Sequence, residues 1–131
     1  MTKSILNLLY SREHEWILQL DKNRVRIGIS DYAQRQLGDI VFVENPEVND
    51  KVTANESIGT IESVKTASEI YAPVSGTIIR VNEELQDAPE IMNEQPYEAG
   101  WLVEIELSSS GELQTLLNEE EYQIFINEGG E

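Results

Sequence analysis

Gly59-Thr60-Ile61-Glu62-Ser63-Val64-Lys65-Thr66-Ala67-Ser68-Glu69-Ile70-Tyr71-Ala72-Pro73-Val74-Ser75-Gly76 reads as two short β-prone runs folded back on each other. Residues 57–63 enter and 69–74 leave, so the turn falls within 63–68 and Lys65 lies near its tip. Pro73 cannot donate to a ladder, which places it at an edge or a strand end. A hairpin tip stands clear of the core, and its flanking strands fix the direction of what it carries. The tripeptide Gly59-Thr60-Ile61 returns as Gly76-Thr77-Ile78, which implies two similar β halves related by an approximate two-fold.

Outward from this hairpin the same period of two recurs. Val25, Ile27 and Ile29 alternate with Arg26 and Gly28, and Trp101, Val103, Ile105 and Leu107 alternate with Leu102, Glu104 and Glu106. Both patterns predict strands with one dry face. Residues 16–20 and 40–43 add two more strands, with a hairpin turn over 21–24. Ser30-Asp31 caps a short helix running to Leu37, and Gly38 ends it, because glycine takes the left-handed conformation without steric cost. After Ser108-Ser109-Ser110, the leucines 113, 116 and 117 predict a helix that Asn118 closes as a left-handed cap. Tyr122, Phe125 and Ile126 mark a last short helix before a frayed tail at 127–131. The expected fold is mainly β, with a short internal helix and C-terminal helices.

Composition narrows the function. The 131 residues are 40% hydrophobic and hold no apolar run near membrane-spanning length, which predicts one soluble globular domain. A net charge of −16 repels nucleic acid phosphates and anionic headgroups alike, so neither nucleic acid nor membrane is expected as a partner. Two readings of that charge stay open: docking onto proteins with basic surfaces, and acidity that only keeps the chain soluble. With no cysteine, the chain offers no disulfide, thiol nucleophile or thiolate ligand, and any sulfur chemistry must arrive with a cofactor. The start carries Lys3 and a short apolar run broken by Asn7, without a small-residue cleavage site, so no targeting peptide is expected and the protein is placed in the cytoplasm.

Lysine has an ordinary pKa of about 10.4 and is a poor nucleophile unless that value is depressed. Glu62 and Glu69 beside Lys65 favour the ammonium instead, so a Schiff-base role is not expected. Two readings of Lys65 stay open on the residues alone: a solvated surface lysine and an acceptor for covalent modification.

The segment GTIESVKTASEIYAPVSG (59–76) resembles the lipoyl-attachment segment of the glycine cleavage system H proteins. HEW (14–16), VRIGISDYAQRQLGDIVFVENPEV (25–48), VNEEL (81–85) and NEQPYEAGWL (93–102) fall in that family's order and spacing. Biotin-carrying domains usually flank the modified lysine with methionines, whereas Val64 and Thr66 stand here. Lipoyl domains of the 2-oxoacid dehydrogenases show an Asp-Lys-Ala core and lack the IGISDYAQ and PYEAGW segments. Asn45 departs from the family pattern, which has an apolar residue before the proline. Asn49 and Asn55 replace turn glycines, and Thr66 and Glu69 replace a frequent alanine and aspartate.

The resemblance implies a lipoyl/biotinyl-type barrel-sandwich hybrid: a single monomeric carrier domain over 1–131, with a core of about 10–107 and a helical segment of about 109–127. It implies no catalytic residue and no metal. Lipoate would be joined as an amide to Lys65, giving a tether of about a dozen bonds and a reach of about 14 Å. Implied partners are glycine decarboxylase (the pyridoxal-phosphate-dependent P protein), the tetrahydrofolate-dependent aminomethyltransferase (T protein), the flavin-dependent dihydrolipoyl dehydrogenase (L protein) and a lipoate-attaching enzyme. That enzyme would recognise Glu62, Ser63, Val64 and Glu69 around the turn, although solvation also accounts for the two acids. Glu15 would line a cleft that protects the aminomethyl-bearing arm; equally, His14-Glu15-Trp16 would anchor a strand with Trp16 in the core. His14 is expected in packing or a backbone hydrogen bond. The alternative function is an H-like relay protein that donates lipoate to other enzymes or serves another lipoate-dependent pathway.

Overall fold

The computed structural model describes residues 8–129; the expectations for the N-terminal start and for the last two residues of the tail lie outside that range. In chain order the elements are β1 (Leu9–Tyr10), β2 (Glu15–Gln19), β3 (Arg24–Ile29), α1 (Asp31–Leu37), β4 (Ile40–Glu44), β5 (Lys51–Val52) and β6 (Ser57–Ser63). There follow β7 (Ala67–Tyr71), β8 (Gly76–Val81), α2 (Glu84–Asp87), α3 (Ile91–Glu94), β9 (Val103–Leu107), a 3-10 helix (Ser110–Thr115) and α4 (Glu119–Asn127). Two antiparallel sheets, ordered β1-β2-β3-β9-β8-β5 and β4-β6-β7, face each other as an unclosed barrel. The fold is mainly β, a barrel-sandwich hybrid.

The period-two positions supply the core between the sheets. Ile17, Val25, Ile27 and Ile105 come from the larger sheet, Val43, Ile61 and Ile70 from the smaller, and all are buried. Each such side chain contributes about 1.5–3 kcal/mol of apolar burial. Ser30 caps α1 by accepting from the Ala33 N–H, and Gly38 ends it at φ 80°. Residues 57–71 form the expected hairpin, and Pro73 lies beyond the end of β7.

The tripeptide echo extends into three dimensions. Gly59 on β6 and Gly76 on β8 stand where a Cβ would collide with the carbonyl of Glu44 and of Glu106, respectively, so both strands approach a neighbour too closely for any side chain. The turns repeat as well. Asn49 (φ 81°) and Asn55 (φ 75°) take the left-handed geometry that asparagine tolerates. The Asn49 N–H donates to Ile78 O at 2.7 Å while Ile78 N–H donates to Asp50 O at 2.8 Å, and Asn55, Ala72 and Glu56 repeat the pattern at 2.7 and 2.9 Å.

Two expectations are corrected. Leu102 and Glu104 are buried rather than solvated. Glu104 accepts from Arg26 at 2.8 Å and from Arg80 at 3.2 Å, and both guanidiniums lie 5.0 Å from the Trp101 ring centroid. A charge is tolerated there because it is paired and hydrogen-bonded. Near the C-terminus, the helical turn stops at Thr115 as a 3-10 helix, and Leu117 exchanges two backbone hydrogen bonds with Tyr10 at 2.7 and 2.8 Å. Asn118, at φ −82°, begins the next helix instead of ending the previous one, and with Glu121 it forms a capping box. That box starts α4, whose Tyr122 stacks on Tyr10 at 4.2 Å in a second apolar cluster with Leu8, Trp16 and Leu117. Sequence pattern missed β1, β5, α2 and α3, because elements of two to four residues are too short to display a period.

Candidate functional site: a displayed lysine beside an acidic cleft

The turn that carries Lys65 is closed by one hydroxyl. Ser63 Oγ accepts from the N–H groups of Lys65 and Thr66, each at 3.1 Å, and donates to Thr66 O at 3.2 Å. The Ser63 N–H also donates to Thr66 O at 2.8 Å. Lys65 is exposed at the tip.

The tip is also held from outside the hairpin. Val64 N–H donates to Asp39 O at 3.0 Å, and the stem of Lys65 passes over Gly38, where an added Cβ would stand 3.3 Å from Lys65 Cδ. Asn93 on α3 braces that corner. Its amide donates to Gly38 O at 2.8 Å and to Gln34 Oε1 at 2.9 Å, and its oxygen accepts from Ile40 N–H at 2.9 Å. Sequence reasoning gave Gly38 only a helix-stopping role and assigned Asn93 none. The partners of Asn93 are distant in sequence, so no local signal marks it.

The other turn residues divide. Glu62 is exposed opposite Phe42 and Ala67, and Val64 is 67% exposed. Glu69 is exposed, accepts from Ser57 Oγ and lines the neighbouring cleft. Ser63 is half-buried as the clasp of the turn.

The cleft has a volume of about 360 Å³ and is walled by α1, by residues 13–15 and by β7. Its surface mixes apolar Ile29, Leu37 and Ile61 with the acids Glu13, Glu15 and Glu69. Glu15 is 2% exposed; its Oε1 accepts from Ser11 Oγ at 3.3 Å and its Oε2 from Tyr71 N–H at 3.0 Å. Burial pushes its carboxyl up to about 8; the hydrogen bonds from Tyr71 and Ser11 oppose that rise, and the nearby charge of Glu13 adds to it. Glu15 therefore ties β2 to β7 and also faces the cleft. Trp16 is buried and its indole donates to Pro96 O at 2.8 Å. His14, at φ 69°, has its Nδ1 2.8 Å from the Tyr122 hydroxyl and packs against the Tyr32 ring at 4.8 Å. Among the described residues no cluster of three or more His, Cys, Asp or Glu could hold a metal ion, and no helix is long and apolar enough to cross a membrane.

This arrangement can present one amine on a rigid turn and receive a flexible attached group nearby. The glycine under the lysine stem leaves room for it, and the apolar cleft walls suit a hydrocarbon arm. The residues present fit an amide-linked lipoyl group.

The sequence model of the family described as "Glycine cleavage H-protein" matches residues 8–129. A glycine cleavage system H protein of Geobacillus thermodenitrificans (strain NG80-2) is 56% identical over 122 residues, which cover 93% of this chain and 95% of that one. One from Staphylococcus saprophyticus is 53% identical over 121 residues, covering 92% and 95%. The crystal structure of a glycine cleavage system H protein from Mycobacterium marinum superposes with a TM-score of 0.84 at 39% identity, covering 93% of this chain and 98% of that one.

Proposed function

Because the chain belongs to the glycine cleavage H-protein family, we propose that it is the lipoyl carrier of a glycine cleavage system, with lipoate joined as an amide to Lys65. The observation that carries this reading is the exposed lysine on a turn clasped by Ser63 and braced through Asp39, beside a cleft large enough for an arm. Bound there, the lipoyl group supplies a strained disulfide ring open to thiol exchange and reductive attack, chemistry that a chain without cysteine lacks.

The chain's own residues display, steer and shelter. The hairpin sets the direction of the arm, so partners meet it at raised effective concentration without binding the scaffold tightly. The partners are glycine decarboxylase, the aminomethyltransferase and dihydrolipoyl dehydrogenase, between which the carrier moves the aminomethyl group of glycine and then the reduced arm. Glu15 receives the amino end of the carried unit in the cleft and keeps it from water. With its carboxyl raised to about 8 by burial, Glu15 can pass its proton to an arriving neutral amine and pair as a carboxylate with the ammonium so formed. The chemistry itself belongs to the partners, and the protein works as a monomer in the cytoplasm.

Intact mass spectrometry of the native protein tests the attachment. One added lipoyl group is expected, and it should be lost in Lys65→Arg, which keeps the charge but offers no acylable amine. The modified protein should then support glycine decarboxylation by its partner set. Transfer of its lipoyl group to dehydrogenase domains without such support would instead establish the relay function.

A further inference from the structure

The outward face of the smaller sheet bears an apolar patch that the proposed function leaves unexplained. In register across β4, β6 and β7, Phe42, Glu62 and Ala67 form one row and Glu44, Thr60 and Glu69 the next. Phe42 is 45% exposed, and Val41, the extra residue of a bulge on this edge strand, is 52% exposed. Val64 adds a third apolar side chain at the tip, tied through its N–H to Asp39, the residue before β4. Glu62 shares the Phe42 row, Glu44 and Glu69 share the next one, Asp39 directly precedes β4, and all four acids are exposed.

We propose that Val41, Phe42 and Val64 form the docking surface for the enzyme that acylates Lys65, and that this enzyme meets them with an apolar pocket rimmed by lysine or arginine. The proposal rests on the lipoyl reading and adds residues of β4 that no motif around the lysine contains. Reach selects the occupant. Once the arm is attached, partners can work at about 14 Å from the scaffold, but the bare lysine extends only about 6 Å over its five bonds. The acylating enzyme must therefore press against the surface beside the turn, and β4 is the strand hydrogen-bonded to the incoming arm of the hairpin. Charge complementarity then sets the rim: exposed acids in the same and the adjacent row as the apolar residues match basic side chains beside an apolar pocket. In the transfer itself, the Lys65 amine forms the amide C–N bond as the acyl–phosphate C–O bond of a lipoyl adenylate breaks. AMP leaves with that electron pair, and an amine proton passes to solvent.

The test uses the full chain without its lipoyl group, a lipoate–protein ligase, ATP and lipoate, with acylation followed by intact mass. Val41→Gln combined with Phe42→Gln, and separately Glu44→Lys, should raise KM for the carrier about tenfold while leaving kcat within about twofold. Thermal midpoints and the rate of Lys65 modification by an amine-reactive ester should stay at wild-type values, which separates docking from folding and amine exposure. Val48→Gln, an exposed apolar residue on another loop, should change nothing. Wild-type KM in both the paired and the Glu44 variants overturns the proposal. A wild-type chain that is not acylated at Lys65 overturns instead the lipoyl reading on which it rests.

Discussion

Glu15 holds its carboxyl out of water between two sheets, and that position makes stability depend on pH in a defined direction. Its ordinary value is 4.5 and its folded value is about 8, so between those pH values the folded chain keeps a proton that the unfolded chain has lost. Stability from this group is fully present below the lower value, falls by about 1.4 kcal/mol for each pH unit across the window, and is flat above it. Glu15→Gln, which is neutral at every pH, should gain in thermal midpoint over the wild type between pH 5 and pH 8.5, and an equal gap at both ends would contradict a buried, protonated carboxyl. Asn45 offers a simpler case. Its Oδ1 is buried without a hydrogen-bond partner among the described residues, and its Nδ2 makes only a 3.4 Å contact to Asn82 O. Asn45→Leu should stabilise the fold by about 1 kcal/mol in urea unfolding, since an unsatisfied polar atom is removed. That Asn45 occupies an apolar station was readable from the family pattern; that one oxygen is stranded there was not.

At the scale of elements, the paired halves make a quantitative claim. Gly59 and Gly76 hold equivalent places on β6 and β8, each against a neighbouring carbonyl. Gly59→Ala and Gly76→Ala should each destabilise by about 1–3 kcal/mol in urea unfolding, as overpacked strands do, and by similar amounts. A tolerated alanine at either site would refute the close approach. The tripeptide repeat announced this symmetry, but the matching asparagine turns became meaningful only when their φ values and partners were seen. Asn118 teaches the reverse lesson, because asparagine suits both ends of a helix. Glu121, three residues on, completes a capping box and could have decided between them. The burial of Glu104 had no such local mark, since its two arginine partners lie on β3 and β8.

For the whole molecule, 25 acids against 9 bases give a field that would steer the proposed partners if they dock through basic surfaces. Association with glycine decarboxylase, the proposed partner, followed by stopped-flow fluorescence, should slow by about tenfold as ionic strength rises from about 0.05 to about 0.5 M, with a much smaller change in dissociation. A salt-independent association rate would show that the charge serves another purpose. Strand periods, the α1 caps, the hairpin and the position of Lys65 on it were determined by the sequence alone, because alternation and turn chemistry act over a few neighbouring residues. The tertiary structure decided the Asp39 and Asn93 brace of that lysine, the neighbouring cleft, the burial of Glu15 and the apolar patch on β4. Hydrogen-bond partners, loss of solvent and shared faces are set by residues that only folding brings together.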